Sequence, residues 1–195
     1  MKRSALDQLV SWVGFALAAV LLVAGGLLVW ASTFISGQVS SQLSAEKITM
    51  PAAAAYASFS AADKAALDPY QGQLMTTGDQ AEAFADHYIL VHMNASSGGK
   101  TYNEISGQYQ TLSKDASADP AKVKALGDLR QTLFMGDTLR GMLLNAYAFG
   151  TMAKIAMFAA IGAFIGGIAL AVLGFLGLRH SKDATEEVFV PQATA

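Results

Sequence analysis

Two stretches without a single charge constrain this chain more than any other feature. Residues 9–30 and 155–178 run for 22 and 24 residues with no Asp, Glu, Lys or Arg. The hydrocarbon core of a bilayer is about 30 Å thick, and a helix rising about 1.5 Å per residue crosses it in roughly 20 residues. Both stretches are long enough to span, the second with some tilt. A soluble domain built from a 195-residue chain is too small to bury two helices that are apolar on every side. The expected fold is an all-α integral membrane protein, two transmembrane helices with a helical extracytoplasmic domain between them. The 14% of charged residues, against about 25% in ordinary globular domains, points the same way.

Lys2 and Arg3 precede the first stretch, as in a secretory signal peptide. Its apolar run exceeds the roughly 7–15 residues of a signal h-region, so an uncleaved anchor is expected. Lys2 and Arg3 before the first span, with Arg179 and Lys182 after the second, place both termini in the cytoplasm by the positive-inside rule. The chain then divides into a cytoplasmic N-terminus (1–8), transmembrane helix 1 (9–30), an extracytoplasmic helical domain (31–154), transmembrane helix 2 (155–178) and a tail (179–195). The tail is short and polar, and reads as disordered. The expected location is the plasma membrane, as a multi-pass protein, with Lys154 snorkelling to the outer interface.

The outer segment reads as helical through its capping signals. The first span is expected to continue through residue 48, with Val39, Leu43 and Ile48 on one side, until Pro51 stops it. Ser60 with Asp63 opens a helix that Asp68-Pro69 closes, and Asp79 with Glu82 opens another that runs to about Asn94. Asp119 followed by Pro120 is a helix start, and Val123, Leu126, Leu129, Leu133 and Phe134 continue it at helical spacing into the second span. Gly136, Gly141 and Gly150 are the expected bends.

One segment imitates a nucleotide site. Tyr88 to Met93 is apolar and leads to Gly99-Lys100-Thr101, as in the phosphate loop G-x-x-x-x-G-K-[ST]. The first glycine of that motif falls on Asn94, which does not supply the required backbone freedom. A helix-to-helix corner accounts for the same letters. Gly98 and Gly99 end one helix in left-handed geometry, Thr101 caps the next, and Glu104 three residues later completes the box. Neither nucleotide nor nucleic acid is expected as a partner, the net charge being −2.

Metal-ligating residues are few. With no cysteine, the candidates are His87 and His92, with Glu82 and Asp86 as nearby carboxylates. Five residues apart on a helix, the two histidines point about 140° away from each other. No cofactor is expected, no catalytic residue is assigned, and capping or partly buried histidines are the plainer reading. The second span carries G-x-x-x-G at Gly162 and Gly166, flanked by Ala159 and Ala163, and the first span carries Gly14 and Ala18. In lipid, close backbone approach at such residues drives helix association, so these six are the expected packing interface, either of the two spans with each other or with a partner.

The runs "VSSQLSAEKIT", "FADHYILVHMNASSGGKTYNEI" and "LRGMLLNAYAFGTMA" resemble a family of small actinobacterial two-span membrane proteins. The family is often labelled "aromatic ring-opening dioxygenase". The resemblance covers both spans and about two thirds of the outer segment, with residues 105–128 as an insertion. It implies an accessory subunit of a respiratory supercomplex, with other integral membrane subunits and the lipid bilayer as partners. The label implies instead an iron-dependent enzyme, whose ligands would have to come from His87, His92, Glu82 and Asp86. Three functions follow from this reading. They are a non-catalytic accessory or scaffolding subunit, an extracytoplasmic sensor or ligand-binding module acting through a membrane partner, and a metal-dependent dioxygenase-like enzyme.

Overall fold

The computed structural model describes residues 3–183; Lys2 and the end of the tail lie outside the described residues. Within them the protein is all-helical, with no β-structure beyond a single bridge pair, Thr49 and Leu74. The helices are α1 (Arg3–Ala45), α2 (Ala61–Leu67), α3 (Gly78–Phe84), α4 (Leu90–Ser97), α5 (Tyr102–Leu112) and α6 (Pro120–Asp183). Tight 3₁₀ turns occupy Ala53–Tyr56 and Asp68–Tyr70, and a π-turn, Ala85–Ile89, joins α3 to α4. The chain forms two compact units: Ile35–Met152, and the remainder on either side of it. Both α1 and α6 contribute to each unit. They are also the two helices long and apolar enough to cross a membrane.

In the first unit the two helices meet along a seam of small residues. The buried positions of α1 are Ser11, Ala18, Gly25 and Ser32, and those of α6 are Ala153, Ala160, Gly167, Gly174 and Ser181. Each series repeats every seven residues. At about 100° per residue, seven steps bring a side chain back to within about 20° of its starting direction. One stripe per helix therefore faces the other along the whole length. The backbones approach closely. A β-carbon built on Gly167 would lie 3.3 Å from the Ala18 carbonyl oxygen, and one on Gly174 3.1 Å from that of Ser11. The Ser32 hydroxyl donates to the Ala153 carbonyl at 2.8 Å. The large apolar side chains, among them Val13, Leu17, Val20, Ile165, Ile168 and Val172, point outward and are exposed.

This seam is not the one that G-x-x-x-G suggests. Ala159 and Gly162 are exposed, and nothing lies within 4 Å of a β-carbon built on Gly162. Ala163 and Gly166 are half-buried on its flank, and Gly166 meets only Leu21 Cδ1, at 3.5 Å. On α1, Gly14 and Ala18 do face α6. A four-residue step rotates by about 400°, so a stripe defined by it turns away from the seven-residue stripe within two steps.

In the second unit, short helices pack against the continuations of α1 and α6. Val39 and Leu43 of α1 join Met50, Tyr56, Leu67, Met75 and Leu143 in one core; Met93, Ile105 and Leu133 form a second. Each such side chain contributes about 1.5–3 kcal/mol on full burial. After α1, Lys47 at φ 53° reverses the chain. The segment around Thr49 then pairs with the one around Leu74 through Met75 N–H to the Ile48 carbonyl and Met50 N–H to the Gln73 carbonyl, both 2.8 Å. The Ser60 hydroxyl caps α2, and the Asp119 carboxylate accepts from Ala121 N–H at the start of α6.

Two features differ from the sequence expectation. The helix assigned to an Asp79–Glu82 box is capped by Thr77 with Gln80, and begins at Gly78. Gln80 wins because its buried amide reaches back to both the Thr76 and Thr77 N–H groups, at 2.7 and 3.1 Å, and donates to Gln73 Oε1 at 3.0 Å. Second, α6 is one uninterrupted helix through Gly136, Gly141 and Gly150. Gly136 instead makes room for Met93, and Gly150 lies against Gly78.

The Gly78 contact makes the first testable prediction. A β-carbon there would sit 2.9 Å from both the Ala146 carbonyl oxygen and Tyr147 Cα, which belong to the backbone of α6 and cannot swing aside. Gly78→Ala is expected to destabilise the protein by about 1–3 kcal/mol. Gly107→Ala, in the open middle of α5, should be stabilising by about 0.4–1 kcal/mol. Thermal unfolding of the two purified variants side by side checks the opposite signs.

Candidate functional site

The chemistry-bearing side chains gather around the π-turn. Its widened hydrogen bonding runs from Leu90 N–H back to the Ala85 carbonyl, five residues earlier. The same carbonyl accepts from Arg140 Nε of α6 at 3.1 Å, and a second Arg140 nitrogen donates to Asp86 Oδ1 at 2.6 Å. Asp137 lies 3.8 Å from the guanidinium. A planar guanidinium with donors along two edges suits this double engagement of a carbonyl and a carboxylate, which an ammonium could not reproduce. π-turns are enriched at functional sites, and this one is pinned on one side by an ion pair.

Its other side carries the two histidines. His87 Nδ1 lies 2.9 Å from Asp63 Oδ1 of α2. Asp63 also accepts from the Ser60 hydroxyl at 2.5 Å, and the Ser60 bond, followed by that of His87, holds its carboxyl below the ordinary value of 3.8. His92 stands edge-on to Tyr88, with ring centres 4.6 Å apart, and to Phe59 at 5.3 Å. Phe84 stacks on Tyr88 at 5.1 Å. One histidine therefore joins a carboxylate and the other an aromatic cluster. Among the described residues no group of three or more His, Asp or Glu could hold a metal ion, and Glu82 does not join the histidines in one.

Nearby polar groups also tie segments together. The buried Tyr56 hydroxyl donates to Asp68 Oδ1 at 2.9 Å, and burial followed by that carboxylate raises the phenol above its ordinary value. Arg130 of α6 lies over the rings of Tyr102 and Tyr109, 5.9 and 5.3 Å from their centres, and donates to Ser106 Oγ at 3.1 Å. Two open grooves flank α5, of about 580 and about 610 Å³. The first is lined by Tyr109, Lys124, Asp128 and Arg130, the second by Glu104, Gln108 and Asp115 among others.

The stretch resembling a phosphate loop is a corner between helices. Gly98 (φ 63°, ψ 33°) closes α4 in left-handed geometry, and Gly99 follows at φ 79°. Thr101 caps α5, whose first residue is Tyr102. Thr101 Oγ1 accepts from Glu104 N–H at 3.3 Å, and Glu104 Oε2 accepts from Thr101 N–H at 2.8 Å. That return bond, then the one from the Thr101 hydroxyl, holds the Glu104 carboxyl below its ordinary range. The loop amides are thus engaged by the chain itself. Sequence reasoning missed the cap role of Gln80 and the pairings of Arg140 with Asp86 and of Asp63 with His87. Apart from the i,i+3 spacing of Thr77 and Gln80, no local signal marks them, because their partners lie 24 to 54 residues away or in the preceding turn.

Replacing Arg140 with Met removes two charge-assisted bonds from a half-buried site. This is expected to cost about 1–3 kcal/mol, with Arg140→Lys recovering only part of it. A double-mutant cycle with Asp86→Asn, read by chemical unfolding, should show coupling between the two positions. The depressed Asp63 carboxyl stabilises the fold at pH above 3.8, and that contribution is lost as pH falls through its lower folded value. Ser60→Ala should move the Asp63 titration, followed by carboxyl carbon NMR, upward toward the ordinary value. It should also make unfolding begin at a higher pH.

The chain matches no family model, and comparisons with curated proteins and with solved structures return no similar one.

Proposed function

We propose that the protein is a non-catalytic accessory or scaffolding subunit of a larger bacterial membrane complex. On this reading it is anchored in the plasma membrane by residues 9–30 and 155–178, with both termini cytoplasmic and residues 31–154 outside. A respiratory supercomplex is the complex that the sequence resemblance favours. The observation that carries the reading is the division of labour among side chains. Several charged and aromatic-polar groups of the second unit engage one another across its joints: Arg140 with Asp86, His87 with Asp63, Tyr56 with Asp68, and Arg130 with Tyr102 and Ser106. The large apolar side chains of α1 and α6, by contrast, face outward. Trp12 and Trp30, near the two ends of the first span, are both 65% exposed, as suits rings placed at the two membrane interfaces.

Such a molecule presents anchors and surfaces to its surroundings. The experiment is affinity purification of the full chain from native membranes in mild detergent, followed by blue-native electrophoresis and mass spectrometry. The expected result is migration with a complex several times the 20.4 kDa mass of the chain, with other integral membrane proteins in constant ratio. Migration only as a free monomer or homodimer would sink the proposal.

A further inference from the structure

The part of α6 within the second unit has an outward face that the described residues leave exposed, only Phe134 at its edge meeting another ring, that of Tyr102. Met135, Thr138, Met142, Asn145, Phe149 and Met152 succeed one another at alternating steps of three and four residues, and every one is exposed. Phe134 and Leu139 flank them. The six large apolar side chains of the face are 40% to 65% exposed. At about 200 Å² for each whole side chain they offer roughly 650 Å² of apolar surface, most of the ~800 Å² per partner of a standard stable interface. That exceeds the few hundred Å² common on monomeric surfaces.

The pattern selects the occupant. Alternating threes and fours is the a/d repeat of a two-stranded coiled coil, with Met135, Met142 and Phe149 in one register and Thr138, Asn145 and Met152 in the other. No charged residue falls on these positions. Its two polar members are self-complementary. An amide or a hydroxyl each carries both donor and acceptor, so a copy of itself satisfies it across a two-fold axis. A single Asn in such a seam is a known device for fixing register. At the N-terminal end the repeat runs into Gln131 and then Asp128, where two copies would place like charges face to face, and the seam ends.

We infer that α6 pairs with α6 of a second copy of this chain, in parallel and in register, through residues 135–152. The parallel sense rests on the proposal that every copy crosses the membrane in the same orientation. The pairing itself stands on the exposed repeat and needs no larger complex.

The chain contains no cysteine, so a single-cysteine variant has no second thiol of its own to pair with, and a band at twice the chain mass reports contact between copies. Met142→Cys and Phe149→Cys, made in the full chain and oxidised in native membranes, are expected to give a reducible band at twice the chain mass. Asp137→Cys, turned about 110° away from the seam on the same helix, should give none. Co-expression of two differently tagged copies should place both tags in that band. Asn145→Asp, which sets two carboxylates against each other, should abolish the Met142→Cys cross-link, while Asn145→Gln should retain most of it. An unchanged unfolding temperature for each variant separates loss of pairing from loss of fold. No self cross-link at either seam position, equal cross-linking at position 137, or a band that joins the chain to a different protein or to lipid would each overturn the inference. A self cross-link without a larger complex would refute the accessory-subunit proposal alone, and a larger complex without a self cross-link would refute the pairing alone.

Discussion

Close approach of two helix backbones along small residues every seven positions is the constraint on which the unit of long apolar helices depends. In lipid, burying apolar side chains brings little advantage, because the hydrocarbon is as apolar as leucine. Association must then come from van der Waals contact and from hydrogen bonds that shed no polar group into the bilayer. Ser11, Ala18, Gly25 and Ser32 against Ala153, Ala160, Gly167, Gly174 and Ser181 supply that contact over the whole length of the pair. The bulky residues are thereby turned outward, where lipid is the fitting solvent. Ser32 adds one hydrogen bond to a helix carbonyl, which satisfies its hydroxyl without an orphan donor.

The second unit solves a different problem. Its helices α2 to α5 are 7 to 11 residues long, and helices of that length are marginal on their own in water. They persist because each joint is tied. Thr77–Gln80 and Thr101–Glu104 cap two starts, Gly98 closes one end, and the bridge at Thr49 and Leu74 closes the loop after α1. Arg140 then holds the π-turn to α6 by a carbonyl and a carboxylate at once. A π-turn widens the helix and leaves its carbonyls less well satisfied, so a donor from a neighbouring helix at that point stabilises the irregularity.

That division explains what the letters reveal and what they conceal. The all-helical class and the two long apolar helices follow from charge-free runs, whose consequence is local and unavoidable. Thr101–Glu104 and Asp119-Pro120 are legible because a cap and its partner lie within three residues of each other. At Asp79–Glu82 the same logic misplaces the box by two residues. Both Asp79 and Thr77 qualify as caps by type, and the choice falls to Gln80, whose amide is fixed by Gln73 across a loop. The small-residue seam was present as a seven-residue repeat, yet G-x-x-x-G stood out more because its glycines are closer together. The pairings of Arg140 with Asp86 and of His87 with Asp63 span 54 and 24 residues, and no periodicity selects one carboxylate over the others at such distances.

The two histidines show how context decides the use of a residue. On a regular helix a five-residue separation turns them about 140° apart, whereas the π-turn, with its five-residue hydrogen bond, narrows that angle; their uses differ because each meets a different partner. His87 is then engaged by a carboxylate that also serves a helix cap, and His92 by two aromatic rings whose faces and edges it complements. Each contact fastens one short helix to another: α2 to the π-turn through His87, and the Phe59 turn to α4 through His92. A residue type that in isolation suggests a metal centre here fastens helices too short to stand alone.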